Sequence, residues 1–144
     1  MIVEDDSVTA RSLQMSLEKL GYIITTIVSS GEQAIQKLEE GDSPDLVLMD
    51  ISLQGELDGI ETARILATRF NLTGIYLTSH DDKDVFEKAK MTNPYGYLIK
   101  PFKTEELKKI VELGAGLGRD TIFFAKNSIH VSALDYSPTA IKII

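Results

Sequence analysis

The chain has 144 residues, 43% hydrophobic and 26% charged, the balance of one ordinary globular domain with its own core. It has no cysteine, which excludes disulfides, zinc ribbons, iron–sulfur clusters and thiol catalysis. With 15 basic against 22 acidic side chains the net charge is −7, which argues against gripping nucleic acid by phosphate neutralisation. The opening MIVEDDSV is acidic from position 4, unlike a signal peptide, and no apolar run approaches the ~20 residues of a membrane span. A cytoplasmic protein with neither nucleic-acid nor membrane partners is expected.

Short apolar runs alternate with amphipathic stretches over the first 110 residues, the pattern of a parallel sheet covered on both faces. Met1–Val3 reads as the end of a first strand. Ala10, Leu13, Leu17 and Leu20 then recur at helical spacing, and Gly21 stops that helix. Tyr22–Val28 is a second strand, followed by a helix around Glu32–Glu39 with Ser30 as its N-cap. Asp45–Met49 is a third strand, and Asp58 caps a helix around Ile60–Phe70. Gly74–Leu77 is a fourth strand. Asp81 or Asp82 starts a helix over Val85–Lys90, Tyr95–Ile99 is a fifth strand, and Thr104 to Leu107 open a last helix.

Polar residues fall at one end of this scaffold. Glu4 and Asp5 follow strand one, Asp50 ends strand three, Thr78 and Ser79 end strand four, and Lys100 ends strand five. Open α/β sheets bind ligands outside the carboxyl ends of their strands. Three neighbouring carboxylates repel one another unless a cation sits among them. An all-oxygen donor set suits a hard ion, and a site that keeps waters suits Mg²⁺. Lys100 can act as a point charge on phosphoryl oxygens, Thr78 can donate its hydroxyl, and Asp50 can serve as a carboxylate nucleophile. His80 and His130 lack metal-ligand spacing and read as surface residues.

IVEDD, DLVLMD, LTS and GYLIKPF, in this order and spacing, resemble the receiver (CheY-like) domain of two-component response regulators over residues 1–110. The resemblance implies a flavodoxin-like (βα)5 fold, a doubly wound parallel sheet in strand order 2-1-3-4-5. It implies phosphoryl transfer from a sensor histidine kinase to Asp50, with Mg²⁺ held by Glu4, Asp5, Asp50 and the Ser52 backbone carbonyl. It further implies that Thr78 and Lys100 contact the phosphoryl group, and that Tyr97 changes rotamer with Thr78 to report it. Asp6, one place after the acidic pair, takes a supporting role. Two departures stand out: strand one is shorter by two or three residues, and ISLQGELDGIE lacks the Met-Pro turn and holds one extra residue.

Residues 111–144 read differently, carrying 3 basic and 3 acidic residues where residues 1–110 carry 12 and 19. VELGAGLGRDTIFFA and then VSALDYSP resemble motif I and the following acidic position of class I S-adenosylmethionine-dependent methyltransferases. On that resemblance Glu112, Gly114, Gly116, Gly118 and Asp135 line a cofactor site, as a strand, a glycine-rich turn, a helix and a strand. The fragment is too short to place a methyl acceptor, so no methyltransferase activity is expected. Two outcomes are open. The last receiver helix ends near Leu113 with Gly114–Gly118 as a break, or the tail docks as a helix and strand on the receiver or on a second chain. Ile122, Phe123 and Phe124 favour docking or self-association.

The leading reading is a phosphoacceptor signalling domain, not an enzyme, with a truncated methyltransferase-like extension. The alternatives are a receiver-regulated methyltransferase and a chimera without a cellular role. The kinase and the downstream effector are not named by the sequence.

Overall fold

The computed structural model describes residues 1–79 and 83–116. Within them five strands alternate with five helices: β1 (Ile2–Val3), α1 (Ser7–Lys19), β2 (Ile27–Val28), α2 (Gly31–Glu39), β3 (Val47–Asp50), α3 (Gly59–Phe70), β4 (Gly74–Thr78), α4 (Lys83–Lys90), β5 (Gly96–Ile99) and α5 (Thr104–Gly116). All strand pairs are parallel, in the order β2-β1-β3-β4-β5. This is the expected flavodoxin-like topology, whose order reverses at β1 and β3.

Strand alternation divides the core in two. Val3, Met49, Tyr76 and Tyr97 join Ala34 of α2, Leu66 of α3 and Ala89 of α4 in one cluster. Ile2, Leu48, Ile75, Leu77 and Leu98 join Leu13 and Leu17 of α1 and Leu107 and Ile110 of α5 in the other. Successive residues thus face opposite sides of the sheet, and both sides are apolar because both carry helices. Each fully buried Leu or Ile contributes roughly 1.5–3 kcal/mol relative to exposure.

Helix boundaries follow local chemistry. Ser30 and Asp58 accept from the amides of Gln33 and Glu61, so both expected N-caps are formed. Gly21 has φ +90°, the left-handed conformation that ends α1, and its N–H donates to the Glu18 carbonyl. Asp58→Ala is expected to lower stability by about 1 kcal/mol, read as a shift of the denaturation midpoint at constant m. An unchanged midpoint would show that the cap bond carries no stability.

Three expectations need correction. The strand expected over Tyr22–Val28 forms a ladder only at Ile27 and Val28, because β1 pairs with it over two residues. β3 likewise begins at Val47 rather than Asp45, because its ladder with β4 starts at the Val47–Gly74 pair. The last helix neither ends near Leu113 nor yields to a strand and glycine-rich turn: α5 runs unbroken from Thr104 to Gly116. Gly114 lies on this helix where a Cβ would come within 3.2 Å of Leu46 and 3.4 Å of Ile75. Close packing against the sheet therefore outweighs the weak helix propensity of glycine. Residues 117–144, including Gly118 and Asp135 of the methyltransferase-like stretch, lie outside the described residues, as do His80, Asp81, Asp82 and His130.

Candidate functional site

The polar rim forms at the carboxyl ends of the strands. Glu4 follows β1, and its amide is still held by the Val28 carbonyl of β2. Asp50 is the last residue of β3 and Thr78 of β4, while Lys100 follows β5, its amide donating to the Thr78 carbonyl at 2.7 Å. Each side chain owes its position to a strand buried on both faces. Glu4 and Asp50 are only 2% and 5% exposed, which puts carboxylates where burial is costly without a partner.

Those partners are present. The Lys100 ammonium lies 2.6 Å from Glu4 Oε2 and 2.8 Å from Asp50 Oδ2. The other oxygens are held by backbone: the Asp6 amide donates to Glu4 Oε1 at 3.1 Å, and the Ser52 amide to Asp50 Oδ1 at 3.0 Å. Carboxylate oxygens of Glu4, Asp5 and Asp50 all lie within 4.8 Å of one another. Three carboxylates thus face one ammonium, and negative charge remains uncompensated.

The ionisation of the cluster follows. Burial pushes the Glu4 carboxyl above its ordinary range, the neighbouring Asp50 charge adds to this, and the Lys100 hydrogen bond opposes both. Burial pulls the Lys100 ammonium down, but its bonds to Asp50 and Glu4 outweigh that and hold it above the ordinary lysine range. Lys100 is therefore a permanent cation here. An oxygen-only cluster with excess negative charge, and no His among its members, fits a hard divalent ion such as Mg²⁺.

The remaining candidates fall in three places. Thr78 is buried, and its hydroxyl donates to the Ser79 carbonyl at a long 3.2 Å. Tyr97 is fully buried below the rim, its ring 4.5 Å from Phe86 of α4 and 5.7 Å from Tyr76. Asp6 belongs to helix α1 rather than to the carboxylate cluster, for it is the N-cap and accepts from both the amide and the hydroxyl of Thr9. Glu112 is exposed on α5, with Lys108 one turn away at 3.7 Å. Together with Gly114 it forms a helical turn, not a cofactor-binding loop.

Two residues that sequence reading passes over also shape the rim. Gly59 opens α3 where a Cβ would lie 1.9 Å from the Asp50 carbonyl oxygen. Glu32 of α2 accepts from the Leu57 amide in the loop between β3 and α3. The glycine following the Asp58 cap hints at a close approach, but nothing local to Glu32 announces a partner 25 residues away.

Residues 1–112 match the family described as response regulator receiver domain. The chain is 31% identical over 120 residues to the transcriptional regulatory protein PdtaR of Mycobacterium tuberculosis, covering 83% of this chain and 58% of that protein. It is 32% identical over 114 residues to the alkaline phosphatase synthesis transcriptional regulatory protein PhoP of Bacillus subtilis, covering 78% and 46%. Among solved structures, it is similar to the signal receiver domain of a modulated diguanylate cyclase from Desulfovibrio desulfuricans. That match has a TM-score of 0.74 and 41% identity, and covers 79% of this chain and 90% of that one. The chain spans about half the length of the two regulators. The family match stops at residue 112 within α5, and it lends no support to a methyltransferase-like unit beyond. The fold, the rim and these relatives agree: the chain belongs to the response regulator receiver domains of two-component systems.

Proposed function

We propose that Asp50 is the phosphoacceptor of this receiver and that a sensor histidine kinase is the donor partner. The observation that carries the reading is the Lys100 ammonium held between Asp50 and Glu4 within the three-carboxylate cluster. In the step, an Asp50 carboxylate oxygen forms a bond to phosphorus as the phosphorus–nitrogen bond of a phosphohistidine breaks. The electron pair leaves with the imidazole, and an acyl phosphate results.

Glu4, Asp5, Asp50 and the Ser52 carbonyl would hold Mg²⁺. The ion, when bound, neutralises charge on the phosphoryl oxygens. Lys100, now bonded to Glu4 and Asp50, would supply a second positive charge to the phosphoryl oxygens. Thr78 exchanges its long bond to the Ser79 carbonyl for a phosphoryl oxygen. Tyr97 then repacks against Phe86, so that α4, β5 and α5 carry the change to a downstream effector. The continuity of α5 through Gly114 favours this reading over one in which residues 111–116 form a cofactor loop.

Asp50→Ala is expected to abolish incorporation of phosphate from acetyl phosphate in Mg²⁺, measured by intact mass. Labelling retained in the variant would sink the assignment of Asp50. In the wild type, fluoroberyllate with Mg²⁺ should shift the amide resonances of Thr78 and Tyr97 together.

A further inference from the structure

The loop between β3 and α3 is tied down at three points. At its start the Ser52 amide donates to Asp50 Oδ1 at 3.0 Å. At its end Asp58 caps α3, and the Gly59 amide donates to the Ile51 carbonyl at 3.0 Å. Between these the loop crosses to another element. Glu32, in the first turn of α2, accepts from the Leu57 amide at 2.9 Å through Oε1. Gly55, at φ +151°, lies against the same carboxylate, where a Cβ would meet Oε2 at 3.2 Å and Oε1 at 3.4 Å.

This contact differs from the exposed ion pairs formed within single helices. Surface pairs such as Lys37 with Glu40 link neighbours on one helix and constrain nothing beyond it. Glu32 instead fixes a loop 25 residues away, and that loop carries the backbone of Ser52 beside Asp50. Its carboxyl is held below the ordinary range by bonds from its own amide first and the Leu57 amide second, so it is a carboxylate at neutral pH. A charged acceptor makes a stronger hydrogen bond than a neutral one.

We infer that Glu32 is a positioning residue for the metal and phosphoryl site, holding the β3–α3 loop, and with it the Ser52 backbone, at the edge of the carboxylate cluster. The inference rests on the reading of Asp50 and Ser52 given above. Without the Leu57 bond the loop keeps the Ser52 amide beside Asp50, the buried Leu53, and the Asp58 cap and Gly59 amide at its far end, and residues 54–57 between them lose their tie to α2. Metal affinity should suffer first, since it depends on every donor being in place, whereas the chemistry at Asp50 in the loaded site should not.

The test is a Mg²⁺ titration of the full chain followed by the amide resonances of Asp5 and Ser52, alongside phosphate incorporation from acetyl phosphate. Glu32→Ala is expected to raise half-saturating Mg²⁺ about tenfold while the rate at saturating Mg²⁺ stays near the wild-type value. Glu32→Gln keeps an acceptor oxygen on a side chain of the same length and should restore most of the affinity. Gly55→Ala disturbs the same contact from the loop side and adds backbone strain of its own at φ +151°, so it should weaken Mg²⁺ binding at least as much as Glu32→Ala.

An unchanged Mg²⁺ dependence in Glu32→Ala overturns the inference, whether or not the Leu57 amide becomes open to hydrogen exchange. So does a rate that falls equally at all Mg²⁺ concentrations, which marks general loss of structure. If Glu32→Ala does not fold, Gly55→Ala with wild-type Mg²⁺ affinity overturns it equally. A wild-type chain that binds no Mg²⁺ fails differently, overturning the metal assignment and the inference with it.

Discussion

Gly59→Ala is expected to lower stability by about 3 kcal/mol and to impair phosphate incorporation in whatever fraction still folds. The added Cβ would lie 1.9 Å from the Asp50 carbonyl oxygen and 2.8 Å from both the Asp50 carbonyl carbon and Ile51 Cα. All three atoms are backbone, so no side-chain rotation can relieve the contact. Either α3 withdraws from the sheet, or the end of β3 bends away from it. The first choice loses the packing of Leu66 and the fully buried Thr62, whose hydroxyl donates to the Asp58 carbonyl. The second displaces Asp50, the proposed phosphoacceptor, itself. Chemical denaturation gives the stability, and mass spectrometry at a temperature where the variant is folded gives the incorporation. A variant as stable as the wild type would show that α3 can shift at no cost.

Lys100→Met is the second large effect, and its size depends on pH. The substitution keeps the aliphatic packing but leaves the buried Glu4 and Asp50 carboxylates without their shared cation. Removing one partner of a buried pair costs about 3–5 kcal/mol. The Lys100 side chain is 25% exposed, so water screens part of this and about 2 kcal/mol is expected at neutral pH. Glu4 already sits above its ordinary pKa through burial, with Lys100 opposing the rise. A carboxyl raised in the folded state favours folding when protonated, so its contribution is lost as pH rises from the unfolded value through the folded one. Without Lys100 that window moves further up.

The stability difference between variant and wild type should therefore shrink on acidification from neutral pH towards the ordinary carboxylate range. Taking the difference cancels the surface carboxylates Glu40 and Glu61, which are lowered by their Lys37 and Arg64 partners and act oppositely in both proteins. Millimolar Mg²⁺ should raise the melting temperature of Lys100→Met more than that of the wild type, since the ion takes over part of the missing charge. A difference that is flat with pH and indifferent to Mg²⁺ would mean that Lys100 does not set the charge of the cluster.

The legible part of this protein is the part written in short-range pattern. Apolar runs and their alternation with amphipathic stretches specify five strands and five helices, because burial on two faces demands unbroken Val, Ile and Leu. The caps at Ser30 and Asp58 and the stop at Gly21 are local, each decided by bonds within a few residues. The rim is legible too, since Glu4, Asp50, Thr78 and Lys100 each end an apolar run, and parallel strands must bring such ends together.

The tertiary structure decided what depends on a neighbour distant in sequence. Tyr22–Thr26 has the residues of a strand, but a strand exists only where another pairs with it, and β1 pairs with Ile27 and Val28 and otherwise bonds only to the Thr26 carbonyl of that segment. Glu112–Gly116 has the wording of a nucleotide-binding turn, yet in α5 the missing Cβ of Gly114 serves close packing on Leu46 and Ile75. Asp6 stands beside the acidic pair in sequence and caps a helix in space. Glu32 and Gly59 touch the loop and strand around Asp50 across 25 and 9 positions; the glycine after the Asp58 cap hints at its contact, and nothing local encodes that of Glu32. Hydrogen bonds and burial along one element are readable from its own residues, whereas the fit between elements is known only once they pack.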